Sequence, residues 1–152
     1  MNEISAVRIY ALRAVYLLNL AGGAWMFWPA LLHPSRPLDL FEGFAFSFWA
    51  GLTTLMGLGL RYPLRMLPLL LLQLFYKTVW LLAVALPLWS AGRWDARATS
   101  STRTFVAAVA ADLLVIPWAY VVEQYVRQPG ERWKPAAPSG SRALGQAQGA
   151  TR

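Results

Sequence analysis

The stretch MLPLLLLQLFYKTVWLLAVALPL, residues 66–88, decides the fold. Its single charged side chain is Lys77. As a helix it rises about 35 Å, enough to cross the hydrocarbon core of a bilayer. Working back along the chain, RYPLR at 61–65 is one tight turn, and before it GFAFSFWAGLTTLMGLGL at 43–60 is a second apolar run. Two further runs flank these, VRIYALRAVYLLNLAGGAWMFW at 7–28 and TFVAAVAADLLVIPWAYVVEQYV at 104–126. Runs of this length and apolarity read as membrane helices.

The composition agrees. Hydrophobic residues make up 57% of the 152 positions and charged residues only 14%. A soluble domain carries about 25% charged residues. The chain has too little polar surface for water, and far too much apolar surface for disorder. It has no cysteine, which excludes a disulfide-stapled domain and a thiol-dependent enzyme. The fold class expected is all-α: a four-helix transmembrane bundle, up-down-up-down.

The links are short. RYPLR makes the second and third helices antiparallel neighbours by expectation. The first loop is stiffened by Pro34 and Pro37, and the third offers Ser101, Thr102 and Thr104 as caps for the fourth helix. The first span has the look of a secretion signal, with Arg8 ahead and small residues at Ala21 to Ala24. Arg13 interrupts it and Trp25 and Trp28 follow at once, so a retained helix is expected.

Charge sets the orientation. An even number of spans puts both termini on one side, with Arg8, Arg13, Arg61, Arg65, Arg127, Arg132, Lys134, Arg142 and Arg152. The other side holds Arg36, Arg93, Arg97 and Arg103. Both termini are therefore expected in the cytoplasm, and the +7 net charge reads as topology. Trp25, Trp28, Trp49, Trp89 and Trp94 fall near the outer rim and Tyr10, Tyr62, Tyr120 and Tyr125 near the inner one, as amphipathic rings do. Residues 1–127 form the membrane domain. Residues 128–152, rich in Pro, Gly, Ala, Ser and Gln, read as a flexible basic cytoplasmic tail. Its scattered charges make no nucleic-acid patch.

Two ionisable residues stand out deep inside spans, where each costs roughly 2.5 to 3.5 kcal/mol at a helix centre. They are Lys77 and Asp112. Counted from helix ends at residues 88 and 104, they lie about 16 Å and about 12 Å below the same edge. An intramembrane ion pair is expected if the third and fourth helices touch. Gln73, one turn before Lys77, and Asn19, near mid-depth on the first helix, are expected to join it. The primary reading is a pin that fixes helix register. The alternative is a proton or ion relay. Pro117, five residues after Asp112, predicts a fixed kink, because it has no N–H for the carbonyl of Leu113. Glu123 and Arg127 are spaced for a rim pair.

Other chemistry has no carrier. His33 is the sole histidine, which leaves no bis-histidine haem. His33, Asp39 and Glu42 on the first loop read as solvated loop charges, so neither metal nor cofactor is expected. There is no nucleophile elbow, phosphate-binding loop or zinc-protease motif.

The runs GLRYPLRMLPLLLLQLFYKTVWLLAVALPLW at 59–89 and DLLVIPWAYVV at 112–122 resemble short four-span bacterial integral membrane proteins. In helix layout the chain is similar to the DoxX-like membrane proteins. The resemblance implies a bacterial inner-membrane protein and no substrate. The expected role is non-enzymatic: an accessory or structural protein in the lipid bilayer, packed against partner membrane proteins or copies of itself. Two alternatives stand beside it. One is a small transporter or proton-coupled permease using Asp112 and Lys77. The other is a lipid- or quinone-binding subunit using Tyr76, Trp80 and Trp118. Small residues at Ser47 and Gly51, and at Ala107 and Ala111, offer close-packing faces.

Overall fold

The computed structural model describes residues 5–129. Among them every element is helical and no strand forms. The expectations for residues 130–152 of the tail lie outside this range.

Helix α1 runs over Ala6–Leu32, with Ser5 accepting the Arg8 N–H at its start. Helix α2 (Leu40–Leu55) continues through a tight turn at Met56 into α3 (Gly57–Arg61). Helix α4 (Leu67–Trp80) passes through a π-helical turn, Leu81–Ala85, into α5 (Leu86–Ser90). The fourth segment comprises α6 (Ala96–Val115), α7 (Trp118–Val122) and a second π turn, Glu123–Arg127. Ala6–Leu32, Leu40–Arg61 and Leu67–Ser90 are each long and apolar enough to cross a membrane. Ala96–Val115 and Trp118–Arg127 meet that condition only as a pair, and they are bent by 75° where they join. The chain thus has three candidate spans, or four if the bent pair is one.

Two starts lie earlier than the apolar runs. Helix α2 begins at Leu40 because Asp39 accepts the Glu42 N–H at 2.8 Å. Helix α6 begins at Ala96, capped by Asp95 on the Ala98 N–H at 2.7 Å, and not near Thr104 with a Ser or Thr cap as expected. In its first turns the threonine hydroxyls are satisfied by carbonyls of their own helix. Thr99 donates to the Asp95 carbonyl and Thr104 to that of Ser100.

The kink expected at Pro117 is present as the 75° bend. Ile116 has left the helix (φ −60°, ψ 125°), and the last bond of α6 runs from its N–H to the Asp112 carbonyl. The Leu113 carbonyl, which Pro117 cannot serve, accepts the indole N–H of Trp118 at 2.9 Å. In the π turn of the third helix, Leu86 N–H reaches back to Leu81, one residue before Pro87 interrupts the ladder.

The helices pack in two antiparallel pairs joined by α1. Helix α1 lies along α2 and α3 and also touches α6; α6 packs along α4 and its π turn. Helix α2 and helix α4 share no extended interface, which corrects the expectation that the RYPLR turn makes them neighbours along their length. The physical reason is α1. Its Tyr16 is fully buried and donates to the Pro63 carbonyl in that turn at 3.0 Å. Two glycines let α1 and the second helix close up: a Cβ on Gly59 would overlap the Tyr16 ring, and one on Gly23 would overlap Thr53. Helix α1 runs unbroken through Gly22 and Gly23. Toward the other end Phe27, Phe46 and Trp49 stack, with centroids 5.3 to 6.2 Å apart.

The core gathers Leu12 and Tyr16, Leu52 and Met56, Leu67 and Leu70, and Ile116 and Val121. The outward faces are apolar too: Trp25 is 86% exposed and Phe41 83%. Such a surface suits lipid and not water. Ser47 and Gly51 face outward, with open space beside Gly51.

Candidate functional site

Helix α4 places Gln73 and Lys77 one turn apart, facing α6, and α6 places Phe105 and Asp112 two turns apart, facing back. Gln73, Lys77 and Asp112 are all buried, Asp112 to 1% exposure. Gln73, Lys77 and Asp112 thus lie on the facing sides of α4 and α6.

The partners differ from those expected. The Gln73 amide donates to Oδ2 of Asp112 at 2.9 Å, and Oδ1 of Asp112 is buried without a partner. Lys77 forms no ion pair with it; the ion pairs among the described residues are Arg36–Glu42 and Glu123–Arg127. The Lys77 ammonium lies instead over two rings, with Nζ 5.9 Å from the centroid of Tyr76 and 5.8 Å from that of Phe105. Both distances fall in the range of cation–π attraction. Asn19 stays apart from the cluster, because its amide donates to the Val15 carbonyl of its own helix at 2.9 Å.

Observed helix ends explain the exchange of partners. Measured from Ser90, Lys77 is about 20 Å deep and Gln73 about 26 Å; measured from Ala96, Asp112 is about 24 Å deep. Starting α6 eight residues earlier than the apolar run carries Asp112 past Lys77 to the level of Gln73.

The three aromatic candidates do not line a common groove among the described contacts: two pack on Phe105, and the third, Trp118, is exposed. Tyr76 and Trp80 meet the edge of Phe105, at centroid distances of 6.1 and 4.9 Å. Trp118 is committed to the Leu113 carbonyl. Phe105 went unnoticed in the sequence. Its signal was its spacing, seven residues before Asp112 on the same face.

On the first loop, Asp39 caps α2 and Glu42 pairs with Arg36 at 2.6 Å. Among the described residues, no group of three His, Cys, Asp or Glu is placed to hold a metal. One surface cavity, of about 310 Å³, lies at this loop beside His33 and Phe46. Another, of about 690 Å³, lies along the polar face of α6 beside Thr99, Arg103 and Thr104. Neither is lined by Asp112.

Chemically, the buried cluster offers one interhelical hydrogen bond, one free carboxyl oxygen and one ammonium seated on aromatic faces. It contains no nucleophile beside a base and no paired carboxylates. Protein-family models, curated proteins and solved structures yield no match to this chain.

Proposed function

We propose that this chain is a small, non-enzymatic protein of the bacterial inner membrane, an accessory or structural subunit that packs against partner membrane proteins or a second copy. In this reading the bent fourth segment crosses as one span, both termini are cytoplasmic, and the helices alternate up and down, as the charge distribution favours. The layout is the one the DoxX-like resemblance implies.

One observation carries the reading. The interhelical polar contact at the centre, Gln73 to Asp112, is spent on holding α4 to α6. Such a contact serves register and is a poor start for substrate chemistry. The surroundings support it, since Tyr76 and Trp80 pack against Phe105 across the α4–α6 contact.

The rival reading, proton-coupled permeation, draws on the unpartnered Oδ1 of Asp112. One experiment separates them. The full chain is purified in mild detergent, its co-purifying proteins are identified, and the same preparation is placed in liposomes for proton flux. A defined protein partner or a stable homo-oligomer, with no flux, supports the accessory reading. A lone protein whose liposomes conduct protons in an Asp112-dependent way overturns it.

A further inference from the structure

Lys77 and Asp112 are both buried on facing helices, yet they do not pair. A carboxylate in this position would hold one hydrogen bond, to Gln73, and face the interior with a bare oxygen. A buried charge left without its counter-charge is strongly destabilising. A neutral carboxylic acid carries no such charge: its carbonyl oxygen accepts from Gln73, and the proton sits on the other oxygen.

The ammonium tells the same story from the other side. Nζ of Lys77 rests near the rings of Tyr76 and Phe105, whose electron-rich faces offset its buried charge. Gln73 and Lys77 are successive residues of one helix face, with Cβ atoms about 5 to 6 Å apart. The four-carbon stem of lysine covers that distance by rotating, with no movement of the helices.

We propose that Asp112 is a proton-binding site with two alternating partners. Protonated, it keeps the hydrogen bond from Gln73. Deprotonated, it is met by the ammonium of Lys77, which leaves the rings of Tyr76 and Phe105. The step is a simple acid dissociation: the O–H bond of the carboxyl breaks, its electron pair stays on the carboxylate, and the proton leaves to the water outside the bilayer. The negative charge created on Asp112 is matched by the positive charge already on Lys77, so the pair becomes neutral as a whole.

The groups facing Asp112 are few. Helix α4 supplies Gln73, Tyr76 and Lys77, and α1 supplies Tyr16. The π turn Leu81–Ala85, which also packs on α6, carries no titratable side chain. Tyr16 already donates to Pro63, so Lys77 is the cation available to take over. The exchange is placed to be felt mechanically. Asp112 sits in the last turn of α6, one turn before the 75° bend, and Lys77 sits just before the π turn of the third helix. The proposal holds whichever protein the chain packs against.

The sequence makes the test clean. The chain has three aspartates, Asp39, Asp95 and Asp112, and two lysines, Lys77 and Lys134. The full chain is labelled with ¹³Cγ-aspartate and ¹⁵Nζ-lysine and placed in phosphatidylethanolamine–phosphatidylglycerol bilayers. Solid-state NMR then follows the carboxyl shift of Asp112 and its dipolar contact to Lys77 Nζ across the pH range in which the protein stays folded. The expected result is one step: the acid signal converts wholly to the carboxylate signal as pH rises, and the Lys77 contact appears with it. Asp112→Asn removes both signals. If that variant does not fold, Asp39→Asn with Asp95→Asn leaves Asp112 as the one labelled aspartate and gives the same assignment. A carboxyl that stays in one state at every pH overturns the proposal. So does a contact to Lys77 present throughout, or a titration with no contact formed.

Discussion

Breaking the Gln73–Asp112 contact from each side in turn shows whether it pins α4 to α6. Gln73→Leu keeps most of the side-chain volume and removes the amide. Asp112, at 1% exposure, is then left with no protein donor for either oxygen. Stranding a buried polar group costs about 1 to 3 kcal/mol. Polar contacts between membrane helices average about 0.6 kcal/mol and reach about 1.7, because the unfolded chain in lipid finds other partners. The intersection sets the expectation at about 1 to 1.7 kcal/mol for Gln73→Leu, and a similar loss for Asp112→Leu, which strands the amide. The double variant strands neither group. It should recover most of one single loss, giving a coupling of about 1 kcal/mol, or roughly a fivefold change in the folding equilibrium.

The assay is reversible unfolding of the full chain in mixed micelles as the denaturing detergent fraction is raised. The matched control is the cycle of Lys77→Met with Asp112→Leu. Its coupling should be the smaller of the two in acid, where a protonated Asp112 leaves Lys77 on the rings of Tyr76 and Phe105. If the Gln73–Asp112 coupling is zero within error while the Lys77–Asp112 coupling is large in acid, the ion pair sets the register and the assignment of partners is wrong.

Further outcomes can be checked on the same material. Gly59→Ala and Gly23→Ala should each destabilise by about 1 to 3 kcal/mol through overlap with Tyr16 and Thr53, whereas Gly51→Ala, with open space beside it, should be neutral or slightly stabilising in the same unfolding assay. Trp118→Phe should cost about 1 to 3 kcal/mol, because the Leu113 carbonyl then loses its indole donor; a variant of unchanged stability would show that this carbonyl needs none. Pro117→Ala restores an N–H at the bend, so spin labels at 106 and 126 should move apart. With the 75° bend they are about 24 Å apart along the helix axes, and in a straight helix about 30 Å. A distance unmoved by the substitution would assign the bend to packing and not to proline.

The parts of this structure that were legible in the sequence are those set by apolar length alone. The third run, 66–88, became Leu67–Ser90 almost unchanged, and Pro117 announced its bend by the donor it lacks. What was not legible depended on polar groups satisfying one another. Hydropathy cannot see that Asp95 opens a helix through eight polar or small residues, because the hydroxyls of Thr99 and Thr104 are bonded inward only once the helix exists. That one error in an end moved Asp112 by more than a helical turn, and so paired it with the wrong residue of the right helix face. The neighbour relation failed for a similar reason. A five-residue turn fixes where two helices meet at one end. It does not fix whether they stay together, and here the hydroxyl of Tyr16 and the bare backbones at Gly23 and Gly59 draw α1 against the second helix while Asp112 draws α6 against the third. Once packing in lipid lacks a hydrophobic drive between helices, such close approaches and single hydrogen bonds decide the order of helices, and they are legible only with depth known to better than a turn.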